Sequence, residues 1–301
     1  MNEMENYRHL VKDAYDLHVH SAPDVMPRKF DDVEMVYRIK KAGMKGFTMK
    51  SHYFNTGERA DTINTHYKGC HAIGAITLNQ SVGGLNPAAV EMAARSGATF
   101  CWLPTVDSEH ERKYVFDGNL DKKMPYWAQI ALAMKEEGTD PDPITLFDDA
   151  GKLKPQVYDI LDIIAKHNMV LATGHVSHEE AFAVIKAANE RKVQKKVITH
   201  VGYPTTRYTL DEQKEFVKMG AIIEHTYTSW STKKYSLEEA VNEIMAIGKD
   251  HVIIATDCGA SMQPYPDDAM LEFSMHLAKA GMKEDDIIHM NVHNTHMLVK
   301  K

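Results

Sequence analysis

The amino-acid sequence predicts an α/β chain closed as a (β/α)8 barrel. Three observations carry this. Short β-rich apolar runs alternate with amphipathic segments eight times along 301 residues, the pattern of a parallel sheet covered by helices. Residues suited to binding metal fall repeatedly at the C-terminal ends of those runs, the face of a barrel that carries its active site. No G-x-G-x-x-G follows the first run, which removes the main support for an open dinucleotide-binding sheet.

The predicted strands are 15–20, 46–52, 71–78, 98–103, 169–175, 196–201, 220–227 and 251–257. Helical periodicity marks 31–42, 86–96, 155–167, 178–191, 210–219, 236–247 and 267–280. Their ends carry the expected punctuation: Asn86-Pro87, Ser177 and Ser236 at starts, and Gly43, Gly97, Gly220 and Gly281 at stops. One connection, 104–154, is about twice as long as the others. It holds Pro104, Pro125, Pro141 and Pro143, a helix expected over 126–137 and a hairpin-like stretch over 144–153. Long loops at the mouth of a barrel commonly act as lids or oligomer contacts. Residues 1–301 read as a single domain with 104–154 inserted, because no composition shift marks a boundary.

Composition narrows the class. With 44% hydrophobic residues the chain can bury a full core. A net charge of -7 and the absence of a basic block argue against nucleic acid as a partner. Three scattered cysteines, Cys70, Cys101 and Cys258, argue against a disulfide framework. The polar start lacks the apolar stretch of a secretory signal, and no run of 18 or more apolar residues suggests a membrane span. A cytoplasmic protein acting on a small molecule is therefore the expectation, and barrel analogy leaves a homo-oligomer open.

The most informative motif is His18-Val19-His20, since residues i and i+2 of a strand face the same side and deliver two imidazoles to one point. Alone it is weak, because 17 histidines are spread along the chain. It gains weight from Leu171-Ala-Thr-Gly-His175, Val197-Ile-Thr-His200 and Ile253-Ile-Ala-Thr-Asp257, which each end an apolar run in a ligand-type residue. Neutral imidazole and carboxylate suit zinc first, with manganese, iron or nickel open. Such ions activate water for attack on a carbonyl or phosphoryl centre, and Asp257 is placed to move the proton.

This pattern resembles the amidohydrolase superfamily of metal-dependent hydrolases. The resemblance implies that His18, His20 and Asp257 hold one ion, that His175 and His200 hold a second, and that Asp257 is also the acid/base. The family's fourth-strand bridging lysine or glutamate is missing from Ala98-Thr-Phe-Cys-Trp-Leu-Pro-Thr105. Strand two instead ends in Lys50-Ser-His52, with Lys50 and His52 on one face. A lysine among histidines is costly as a cation unless it is neutralised. A carbamylated Lys50 bridging two ions is one reading, and an ammonium that binds a substrate carboxylate or phosphate is the other.

His52 is expected behind the ligands, with a role as a metal ligand or a substrate contact left open, and Glu224 and His225 are expected as pocket residues if the register turns them inward. Asp107, Glu109 and His110 are expected to be solvated. Arg28, Arg59, Tyr203 and Arg207 sit in loops after strands and are candidate substrate contacts. The resulting expectation is a hydrolase of amides, lactones, esters or phosphoesters with one or two divalent ions. A mononuclear decarboxylase or lyase of the same superfamily, and a metal-retaining barrel without turnover, are the alternatives.

Overall fold

A computed structural model describes residues 3–117 and 124–300. Eight parallel strands run in the order of the sequence: β1 (Tyr15–Val19), β2 (Gly46–Met49), β3 (His71–Thr77), β4 (Ala98–Trp102), β5 (Val170–Ala172), β6 (Lys195–Ile198), β7 (Ile222–Thr226) and β8 (Val252–Ala255). Each pairs with the next, and the ring closes through Asp257 N–H to His18 O and His20 N–H to Cys258 O, both 2.8 Å. The architecture is the (β/α)8 barrel predicted from the sequence. The closing bonds join the ends of β1 and β8, the two segments that carry His18, His20 and Asp257.

The helices are α1 (Asp32–Ala42), α2 (Gly57–His66), α3 (Pro87–Arg95), α4 (Glu109–Phe116), α5 (Tyr126–Glu136), α6 (Pro155–Lys166), α7 (His178–Glu190), α8 (Leu210–Lys218), α9 (Tyr227–Ser231), α10 (Leu237–Ile247), α11 (Pro266–Lys279), α12 (Glu284–Ile288) and α13 (Asn294–Val299). Their starts follow from the sequence. Ser177 and Ser236 each accept from the third helical N–H while Glu180 or Glu239 returns the bond, and Asn86 caps α3 ahead of Pro87. Helix α2 is absent from the periodic segments because Gly-Glu-Arg-Ala-Asp-Thr-Ile-Asn-Thr-His carries few apolar residues, and its Thr56 start makes no capping bond.

Tyr15, Leu17, Ile73, Phe100, Trp102, Val170 and Val197 pack inside the barrel, and Leu298 and Val299 of α13 join them. A second set, including Leu171, Ile198, Ile223 and Ile254, faces the helices. Between its pairings with β2, β1 takes three residue steps, Asp16 to Val19, against two from Phe47 to Met49. This β-bulge lets Leu17 and His18, adjacent in sequence, both reach the inside, where His18 lies beside Trp102.

The 104–154 connection holds α4 and α5 and an antiparallel bridge between Phe147 and Leu153, and residues 118–123 lie outside the described residues. Glu180 ties it to α7, with Oε1 accepting from Thr145 Oγ1 and Leu146 N at 2.6 Å each. No helix among the described residues is long and apolar enough to cross a membrane.

Candidate metal centre

His18 and His20 are buried at the end of β1. Asp257 Oδ1 lies 3.1 Å from His18 Nε2 and 3.2 Å from His20 Nε2, and these three residues form the one group of candidate metal ligands found among the described residues. Thr228 Oγ1 donates to the other Asp257 oxygen at 2.9 Å. Burial raises the carboxyl's pKa, but facing His18 and His20 outweighs this and keeps it well below the usual carboxylate range. Asp257 is left-handed at φ 55°, as is His200 at φ 28°, so backbone strain collects where these side chains turn inward.

The second pair comes from the β5 and β6 ends, with His175 Nε2 and His200 Nε2 3.0 Å apart. The His18 and His200 rings stack at 5.8 Å between centroids, which joins the two pairs into one cluster. The outer nitrogens mostly face protein groups. Glu224 Oε2 lies 3.1 Å from His18 Nδ1 and accepts from His200 N at 2.9 Å. Thr206 Oγ1 lies 2.9 Å from His200 Nδ1. Nδ1–H bonds of this kind fix the tautomer and aim the Nε2 lone pair inward. Burial first, then Arg28 for His20 and His175 for His200, lower the pKa of these two rings against the opposing pull of Asp257, which favours their neutral form. Neutral imidazoles with inward Nε2 atoms beside an ionised carboxylate fit a divalent cation.

Lys50 is buried, with Nζ 2.9 Å from His18 Nε2 and 5.3 Å from the centre of the Trp102 ring. Burial lowers its pKa to about 8 against the opposing pull of Asp257 and Glu224. Trp102, buried, fills the end of β4 with an aromatic ring. His52 bonds through Nδ1 to Thr105 Oγ1 at 2.8 Å and stacks on His20 at 4.8 Å.

A cavity of about 420 Å³ opens above the cluster, lined by Arg28, Lys50, His52, His175, His200, Tyr203 and Asp257, with Pro125, Tyr126 and Trp127 of the insertion as one wall. Arg28 and Tyr203 are therefore at the cavity, as expected, although Arg28 is already paired with Asp24 at 2.6 Å. Arg59 and Arg207 are not brought there. Arg59 is drawn to Asp32 at 2.7 Å and to the carbonyls of Ser21, Ala22 and Pro23. Arg207 bonds to Lys234 O and Glu239 beside the Tyr235 ring.

Glu224 points to the ligands, but His225 faces away and meets Tyr235 OH at 3.3 Å. Asp107 is not solvated: it accepts from Arg112 at 2.7 Å and from Gln80 N at 2.9 Å. His110 reaches Thr205 O at 2.7 Å. Glu111, which no motif singled out, is buried with a carboxylate oxygen 3.2 Å from His175 Nδ1.

Comparison with solved structures finds the same barrel fold in several enzymes. An amidohydrolase from Pseudomonas aeruginosa superposes with a TM-score of 0.65 at 11% identity, covering 97% of each chain. The probable dipeptidase PvdM from the same organism gives 0.65 at 11%, over 98% of this chain and 97% of that one. A beta-aspartyl dipeptidase from Fervidobacterium islandicum gives 0.60 at 11%, over 96% and 73%. Within that fold the chain belongs to DUF6282, a family of unknown function whose model matches residues 13–224. No curated protein sequence matches it significantly.

Proposed function

We propose that this chain is a metal-dependent hydrolase that cleaves an amide, lactone, ester or phosphoester bond of a small substrate. The observation that carries the reading is the convergence of His18, His20 and Asp257 with His175 and His200 at the mouth of the barrel. His18, His20 and Asp257 would hold one divalent ion, zinc first, and His175 and His200 a second. Ions there supply polarisation of the scissile bond and acidification of water.

The protein's own groups supply the rest. Asp257 stays ionised, which suits it to accept a proton from the attacking water and return it to the leaving group. Glu224 and Thr206 hold His18 and His200 in one tautomer. Arg28 and Tyr203 bind the substrate from one side, and Tyr126 and Trp127 restrict water from the other.

Lys50, carbamylated, would in this reading help to hold the ions. The ammonium first loses one proton; the neutral amine nitrogen then bonds to the carbon of CO₂ and releases a second proton to solvent, so that a buried cation becomes a carboxylate. A pKa of about 8 leaves part of the amine neutral near pH 7, which favours that reaction. The hydrolytic activity is tested by elemental analysis of the purified protein with a screen of lactones, amides and phosphoesters, repeated on Asp257→Asn. Bound metal and metal-stimulated turnover that Asp257→Asn abolishes are expected. A protein without bound metal or metal-stimulated turnover overturns the proposal.

A further inference from the structure

Glu111 lies on α4, in the insertion rather than on a barrel strand. It is 1% exposed, and its Oε2 is 3.2 Å from His175 Nδ1 but outside hydrogen-bonding geometry. Both atoms are buried, and neither has a hydrogen-bond partner among the described residues. Orphaned buried polar atoms of this kind are costly, and two of them facing one another call for an explanation.

Proton counting supplies it. Thr206 Oγ1 donates to His200 O at 3.3 Å, so it accepts the proton of His200 Nδ1 at 2.9 Å. A neutral His200 then presents a bare Nε2 to His175 Nε2 at 3.0 Å. A neutral His175 has one ring proton and faces two acceptors, His200 Nε2 and Glu111. Giving the proton to His200 leaves Nδ1 bare against a carboxylate. A cation that takes both Nε2 lone pairs removes the conflict, because the His175 proton then belongs on Nδ1 and Glu111 gains its donor.

The rest of α4 is built for this contact. Ser108, which precedes the helix, donates through Oγ to His175 O at 2.8 Å, and His110 bonds Thr205 O beside Thr206 at 2.7 Å. Arg112 ties the same turn to Asp107 at 2.7 Å and to Asp140 at 3.0 Å. The helix is thus fastened to both loops that carry the second pair of histidines.

We infer that Glu111 is a positioning residue, which accepts the Nδ1 proton of His175 when His175 and His200 hold a divalent ion. Through it the insertion sets the affinity of that ion. The inference rests on the metal-centre reading above, and its test separates the two.

Metal-free protein is titrated with Zn²⁺ against a chromophoric chelator, for the wild type, Glu111→Gln, Glu111→Asp, His175→Ala and the Glu111→Gln/His175→Ala pair. The isosteric Gln keeps the volume, and circular dichroism checks folding. Replacing a carboxylate behind a ligating histidine costs about 10–100-fold in metal affinity. Glu111→Gln is expected to weaken by that factor the ion that His175→Ala removes and to leave any other ion unchanged. Glu111→Asp recovers part of the loss, and Glu111→Gln has no further effect once His175 is Ala. Folded Glu111→Gln with wild-type affinity for every ion overturns the inference and leaves the metal centre standing. Wild-type protein that takes up no Zn²⁺ overturns both.

Discussion

The two pairs of histidines at the mouth of the barrel are held by different parts of the molecule. His18 and His20 are set by the sheet itself: a bulge in β1 turns His18 inward, and backbone bonds to Asp257 and Cys258 lock β1 to β8. His175 and His200 sit at the ends of β5 and β6 and take their support from loops and from α4, through Thr206, Ser108 and Glu111. Parallel strands bonded along their length resist local opening more than loop contacts do. The β1/β8 half is thus held by the sheet, and the β5/β6 half leans on an inserted helix. Glu224 touches both, through His18 Nδ1 and His200 N.

The sharpest way to separate the halves is at Asp257. Asparagine keeps the shape and the Thr228 contact but removes the charge and the proton acceptor. A loss of about 10²–10⁴-fold in turnover is expected, the usual range for a general acid or base. If elemental analysis shows that His175 and His200 still retain an ion in this variant, the two halves bind independently. Loss of all metal would instead show that the β5/β6 half depends on the β1/β8 half.

Glu224→Gln probes the shared carboxylate. An amide cannot take charge-assisted bonds from His18 and His200 N together, so weaker metal binding by about 10–100-fold in both halves is expected by chelator competition. A defect confined to one half would show that Glu224 serves a single histidine. Lys50→Met tests the proposed role of Lys50 as a carbamate between the halves. It should lower bound metal from two ions to one and abolish any stimulation of the wild type by bicarbonate. Unchanged stoichiometry and activity would remove Lys50 from the centre.

The asymmetry between the halves also governs how much could be read from the sequence. Strand-end residues announce themselves by alternation and position, so His18, His20, His175, His200, Asp257 and Lys50 could all be placed at one end of a barrel. Glu224 could be marked only as a pocket candidate, since a one-residue change of register would turn it outward and His225 inward. Glu111 left no signal, because a glutamate among Glu-His-Glu-Arg-Lys looks like any solvated helix face until the insertion is folded over β5. The bulge in β1 was equally hidden, as was the direction of the arginines. A loop arginine is drawn to whichever carboxylates and carbonyls the fold brings near it.

Arg59 gives the smallest effect and a control for the rest. Its guanidinium bonds Asp32 and the carbonyls of Ser21, Ala22 and Pro23, all in the loop and helix that follow His20. It braces the β1/β8 half from outside without lining the cavity. Arg59→Ala leaves partly buried acceptors without their donor, which costs about 1–3 kcal/mol. Chemical denaturation should show that loss while KM stays at the wild-type value. If the stability loss comes with weaker metal binding at His18 and His20, the loop after β1 shares in holding that half, and the sheet alone does not fix it. If KM rises while stability is unchanged, Arg59 touches substrate after all, and the separation between the brace and the cavity fails.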